Sequence, residues 1–105
     1  MFFDDSTQKI WIADTGSHLI HVVYEGMLTT IAGGGTGGVT ATNVNALTAT
    51  LSSPNFVKVY NGYLYICDSG SHTVKKVDLS TNVLTIIAGT GTVSSATQSN
   101  RGNYI

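Results

Sequence analysis

The sequence predicts an all-β chain folded as two copies of a four-stranded antiparallel meander. Three observations carry that prediction. Only 10% of the 105 residues are charged while 42% are apolar, against about 25% charged in an average soluble domain. Threonine, serine, asparagine and glycine cluster at 33–36, 40–45 and 90–100, which favours strands joined by polar turns over charged helices. Finally, Ile10-Trp-Ile-Ala-Asp-Thr-Gly-Ser-His18 returns as Leu64-Tyr-Ile-Cys-Asp-Ser-Gly-Ser-His72, and Leu28-Thr-Thr-Ile-Ala-Gly-Gly-Gly35 returns as Leu84-Thr-Ile-Ile-Ala-Gly-Thr-Gly91. Self-similarity at a near-constant period marks a repeat architecture.

The offset is 54 positions for the first match and 56 for the second. The two added residues fall where Tyr24-Glu-Gly-Met27 becomes Asp78-Leu-Ser-Thr-Asn-Val83, a turn, where a hairpin absorbs a change of length at little cost. Strands are expected at about 1–4, 9–14, 19–24 and 28–32 in the first copy and 56–60, 63–67, 73–78 and 83–88 in the second. In the second copy the separators are Asn61-Gly62, Ser69-Gly70-Ser71 and Ser80-Thr81-Asn82, all turn-forming chemistry. Connections this short make consecutive strands antiparallel neighbours. No segment sustains a helical period. The chain divides into a first unit at 1–32, a Gly/Thr-rich linker at 33–55, a second unit at 56–88, and a truncated linker or tail at 89–105.

The second strand of each unit decides how the units sit. Ile10, Trp11, Ile12 and Ala13 are all apolar, as are Leu64, Tyr65, Ile66 and Cys67, although successive residues on a strand face opposite sides. A sheet wetted on one side would alternate; these strands need cover on both. Radially packed blades of a β-propeller supply that cover, and such propellers use roughly four to eight blades. Two blades leave two apolar outer faces, so the expectation is a chain that packs on identical or related blades or forms part of something larger.

Tyr65-Ile-Cys-Asp-Ser-Gly-Ser-His72 followed by Val74-Lys-Lys-Val77 resembles the core of an NHL repeat. The flanking pieces are similar too: Ala32-Gly33-Gly34-Gly35 and Ala88-Gly89-Thr90-Gly91 match an Ala-Gly-x-Gly turn, and Ala49-Thr50-Leu51-Ser52-Ser53-Pro54 matches an Ala-x-Leu-x-x-Pro linker end. The likeness covers residues 9–91. It departs where Leu19 and Thr73 replace a frequent arginine and Ser17 and Ser71 replace a frequent asparagine. The resemblance implies part of a larger propeller, with six blades favoured; three copies of a two-blade chain would supply them. The stretch 92–105 starts a linker without reaching a Leu-x-x-Pro, the mark expected of a fragment or of a short product closed by other chains.

Asp14, Gly16 and His18, and again Asp68, Gly70 and His72, form an Asp-x-Gly-x-His constellation after each second strand. As metal ligands or an acid/base pair they would be functional. Recurrence in both units favours a structural turn, in which Asp accepts N–H bonds of the turn, Gly supplies a positive φ and His ties the turn down through its ring. His21 stands where the second unit has Lys75, so His18, His21 and His72 together offer the three histidines of a zinc site. An NHL-fold lyase does use zinc-bound histidines, but the repeat resemblance does not carry those over, and no metal or cofactor is expected. The run Gly33–Gly38 satisfies G-x-G-x-x-G yet precedes a β-branched stretch rather than a long helix, so it reads as a flexible linker, with one helical turn at 45–51, rather than a dinucleotide loop.

Trp11 and Tyr65 occupy equivalent positions and point to packing between blades, leaving Tyr24, Tyr60 and Tyr63 near strand ends as candidate partner contacts. Five Lys and Arg and a net charge of −1 exclude a phosphate-binding patch and hence nucleic acid. Lys75 and Lys76 read as a solvated outer strand. Cys67 reads as a small buried hydrophobe, and no apolar run is long enough to span a membrane. The expected function is a non-catalytic structural or interaction scaffold. The alternative is part of an extracellular propeller that binds peptide or glycan, a setting which low charge and abundant Ser/Thr suit.

Overall fold

The computed structural model describes residues 1–89, so the Thr90-Gly91 end of the second Ala-Gly-x-Gly turn and the expected tail lie outside the described residues. Two antiparallel sheets form. The first has strands β1 (Phe2–Asp4), β2 (Lys9–Asp14), β3 (Leu19–Tyr24) and β4 (Met27–Gly33), ordered as in the sequence. The second contains β6 (Pro54–Tyr60), β7 (Tyr63–Asp68), β8 (Thr73–Asp78) and β9 (Val83–Ala88), plus a short β5 (Val44–Asn45) added beyond β9. Both are the expected meanders. The added strand is the difference: the linker crosses the second blade and pairs Val44 with Leu84 and Asn45 with Val83.

The hairpins follow from local chemistry. Asn61 and Gly62 both adopt positive φ (55° and 85°) between β6 and β7, the backbone of a two-residue hairpin turn that Asn-Gly favours. At the turns after β1 and β8, Asp4 and Asp78 each accept two bonds on Oδ1 from the serine two residues on. The distances are 3.1 Å from Ser6 N, 2.7 Å from Ser6 Oγ, 2.9 Å from Ser80 N and 2.7 Å from Ser80 Oγ. These bonds satisfy turn amides that the ladder leaves free.

The linker, expected as a flexible connection, is tied to itself by hydrogen bonds. Gly35 N donates to Ala49 O at 3.1 Å and Gly37 N to Thr48 O at 2.8 Å, while Thr50 Oγ1 receives Gly38 N at 3.0 Å. A Cβ on Gly35 or Gly37 would overlap the Thr48 backbone. The glycine run is there to let two backbones touch, and no dinucleotide-type helix follows it. Asn45 caps the single turn Ala46–Thr48, its side chain accepting Leu47 N at 2.9 Å. Ala46, Ala49 and Leu51 then bury themselves in the core.

The core lies between the sheets. The face of β2 carrying Trp11 packs with Ile20 and Val22, which pair alongside it, against the second blade, whose Val57, Leu64, Ile66, Val77 and Leu84 are buried. Among the described residues no helix is long and apolar enough to cross a membrane.

Candidate functional site

The Asp-x-Gly-x-His turns have one backbone shape in both blades. Asp14 and Asp68 have φ/ψ of −89°/83° and −97°/82°, each followed by a three-residue 3-10 turn, and His18 and His72 close those turns in the left-handed region at 63°/41° and 58°/41°. The positive φ thus belongs to histidine, not to glycine, contrary to the sequence expectation. The aspartates make no side-chain cap bond to their own turns.

They are used differently. Asp68 Oδ1 accepts the N–H of Ser52 at 2.8 Å, and Gly70 N donates to the carbonyl of that same Ser52 at 2.7 Å. Both polar backbone groups of one linker residue are therefore held by one Asp-x-Gly pair. Ser69 Oγ donates to Ser53 O at 2.8 Å. From the other blade, His18 Nδ1 accepts Ser53 N at 2.9 Å and Thr15 Oγ1 donates to Pro54 O at 2.7 Å. The histidine ties down the linker, not its own turn. Ser53, held on both sides, has φ of 61°, a conformation that costs a non-glycine residue energy and persists where surrounding bonds fix it.

Gly70 is required because a Cβ there would overlap the Ser52 carbonyl. The glycines of the Ala-Gly turns, Gly33 and Gly89, have φ of 91° and 88°, and a Cβ on either would press on the carbonyl of His18 or His72. Linker end, Asp-x-Gly-x-His turn and Ala-Gly turn thus form one joint.

Beneath the second joint lies a buried polar cluster built on Lys75, a residue expected on a solvated outer strand. Lys75 Nζ meets Asp68 Oδ2 at 2.6 Å and Ser71 Oγ at 3.1 Å, Ser71 Oγ donates to Asp68 Oδ2 at 2.7 Å, and Ser71 and Thr73 hydroxyls are 2.8 Å apart. Lys75 is fully buried. Alternation along β8 puts it on the inner face with Thr73 and Val77, and only Lys76 reaches outward, its Nζ 4.6 Å from the Tyr63 ring centre. The usable signal was the pairing of Lys75 with Ile66, which sets it beside Asp68 on one face.

In the first blade His21 takes the place of Lys75. Its Nε2 lies 3.1 Å from Asp14 Oδ2 and its Nδ1 3.1 Å from Thr30 Oγ1. The Ser17 hydroxyl first, and then His21, hold the Asp14 carboxyl below its ordinary range. This pair is only partly covered: the Asp14 side chain is 44% exposed, whereas Asp68 is at 0%. Among the described residues no group of three or more His, Cys, Asp or Glu is placed to hold a metal, so His18, His21 and His72 do not converge.

The aromatic candidates separate. Tyr60 is 67% and Tyr24 42% exposed. Tyr63 is half-buried, tilted against Tyr65 with ring centres 6.4 Å apart. Tyr60 lines a cleft of about 410 Å³ between the blades, with Asp4, Lys9, Trp11, Asn61 and Leu79 also on its wall. Trp11 is buried between the blades, whereas its equivalent Tyr65, like Cys67 beside it, stays half-exposed on the outer face. The cysteine is therefore not the buried hydrophobe expected of it.

No family model matches the chain. It is 33% identical over 90 residues to NHL repeat-containing protein 2 of Gallus gallus and 33% identical over 89 residues to that of Homo sapiens, and 30% identical over 89 residues to that of Bos taurus. Each match covers 84% of this chain. The chain belongs to the NHL-repeat family. Its two sheets are the blades that the NHL resemblance led one to expect, and the joint just described occupies the residues that carried the resemblance. The NHL stretch here spans only 12% of the length of each of those relatives.

Proposed function

We propose that this chain is a non-catalytic scaffold element: two NHL blades that complete a propeller or larger assembly by packing their outer faces on identical or related blades. One observation carries the reading. Equivalent residues are buried where a neighbouring blade is present and uncovered where none is. Leu64, Ile66 and Asp68 are buried against the first blade, while their counterparts Ile10, Ile12 and Asp14 are half-exposed. Trp11 is buried against the second blade, while Tyr65 is half-exposed. An apolar face built to the same pattern as a covered one is suited to the same kind of cover. Association of this sort is head-to-tail, since the two outer faces differ, and it closes into a ring when the rotation per blade permits. Size-exclusion chromatography with light scattering at micromolar concentration tests it. The expected result is a multimer, and a stable monomer overturns the requirement for partners.

A second reading, a propeller that binds peptide or glycan in an extracellular setting, draws support from the exposed Tyr60 on the wall of the inter-blade cleft. Aromatic rings flanked by polar groups suit such ligands. Loss of binding in a glycan or peptide array on Tyr60→Ala, with the fold intact, is its expected signature.

A further inference from the structure

The joint at Ser52 is occupied on the second blade, and the same joint stands open on the first. Asp14 repeats Asp68 in backbone dihedrals, Gly16 like Gly70 is the middle residue of the three-residue 3-10 turn that follows, and Asp14 Oδ2 is engaged by His21 as Asp68 Oδ2 is by Lys75. What differs is the occupant. Asp68 Oδ1 and Gly70 N hold the N–H and C=O of Ser52. No linker backbone is bonded to Asp14 or Gly16 among the described residues, and a Cβ on Gly16 meets nothing within 4 Å.

The geometry points to Asp14 and Gly16 as an open clamp for peptide backbone, whose occupant is a Leu-x-x-Pro segment from the linker of a preceding blade. The proposal rests on the scaffold reading and adds the residues that read the neighbour. Its argument is chemical. A carboxylate oxygen and an N–H set to take the two backbone groups of one residue accept any side chain there, since neither bond involves the side chain. On the second blade that residue is Ser52, in Leu51-Ser52-Ser53-Pro54, with Leu51 buried beside it and Pro54 opening the next strand. The first blade holds the clamp in the same conformation without its peptide, so little ordering remains to oppose binding. Ser17, equivalent to the Ser71 that donates to Asp68, stands beside Asp14 to steady its carboxylate.

The test uses the isotope-labelled chain and a synthetic peptide with the sequence of residues 48–57, titrated to millimolar concentration. The expected result is a saturable shift of the Gly16 amide resonance in NMR. It should disappear in Gly16→Ala, whose added methyl occupies the place of the peptide carbonyl while the free chain has room for it. Affinity should fall about tenfold in Asp14→Ala, the scale of one charge-assisted hydrogen bond. A peptide N-methylated at its Ser52 equivalent should not bind. Absence of a saturable shift at Gly16, or a shift that survives Gly16→Ala, overturns the clamp. Light scattering separates this from the broader reading. Multimers that form equally well in Gly16→Ala leave the scaffold standing without the clamp. Peptide binding by a chain that stays monomeric leaves the clamp without the need for copies.

Discussion

Lys75 and Asp68 meet at 2.6 Å, Nζ to Oδ2, with neither side chain reaching solvent. Two charges removed from water are tolerable only when further hydrogen bonds support them, and here Ser71 and the Ser52 amide supply these. Lys75→Met should therefore lower stability by about 3–5 kcal/mol, because it strands a buried carboxylate. In urea denaturation, His21→Ala at the matching position should lose less than that, because the Asp14 carboxylate it leaves behind is 44% exposed and stays hydrated. Equal losses at the two positions would contradict the contrast in burial drawn here.

The glycines of the two turns provide a paired test. Gly70→Ala places a methyl against the Ser52 carbonyl and should destabilise by roughly 1–3 kcal/mol, as overpacking does. Gly16→Ala meets nothing within 4 Å at a backbone angle open to any residue, so it should be neutral, or stabilising by about 0.4–1 kcal/mol through the unfolded chain. Thermal melts of the two variants should move in clearly different degrees.

Three carboxyls make stability depend on acid. Asp4, Asp14 and Asp78 are each held below the ordinary value of 3.8, chiefly by the hydroxyls of Ser6, Ser17 and Ser80 respectively. A carboxyl with a depressed folded-state pKa contributes stability that is complete above its unfolded value and is lost as pH falls through the folded one. The urea midpoint should accordingly hold steady at neutral pH and decline once pH drops below the ordinary carboxyl range. Asp78→Asn, measured across the same range, should make that decline shallower.

Trp11, the only tryptophan, is 3% exposed between the blades, and its Nε1 finds no hydrogen-bond partner among the described residues. Its emission should be blue-shifted and poorly quenched by acrylamide until the blades separate. Trp11→Ala should cost about 3–5 kcal/mol. Trp11→Phe should cost clearly less, since it keeps most of the apolar contact and removes an unpaired donor.

Cys67 reports on the outer face of the second blade, where it is half-exposed beside Tyr65. If copies cover that face, the rate of alkylation by iodoacetamide should fall as protein concentration rises. A rate independent of concentration would count against cover at that face.

Much of the fold was legible because it is written twice. The recurring sequence blocks, turn residues at matching positions and apolar runs on both faces of β2 and β7 are local properties, and each appears in both copies. The family likeness followed from the same residues. Lys75 was misplaced because a lysine read alone is a surface residue, and only the register of β8 against β7 turns it inward toward Asp68. The roles within the Asp-x-Gly-x-His turn were likewise misassigned. Its residue types suggested a self-contained turn, whereas its partners lie 16 and 35 positions away in the linker.

The sequence by itself determined two antiparallel blades, their strands to within a few residues and the apolar character of both faces of the second strands, since these rest on side-chain polarity and near-neighbour turn chemistry. The tertiary structure decided which face of each blade is covered, that the Lys75–Asp68 pair is fully buried while the Asp14 partner of His21 is 44% exposed, and that Asp68 and Gly70 hold another segment's backbone. Those outcomes depend on which distant groups share a desolvated space. In the second blade the linker covers that space, with Ser52 bonded to Asp68 and Leu51 buried beside it, and in the first the equivalent carboxylate, Asp14, is 44% exposed.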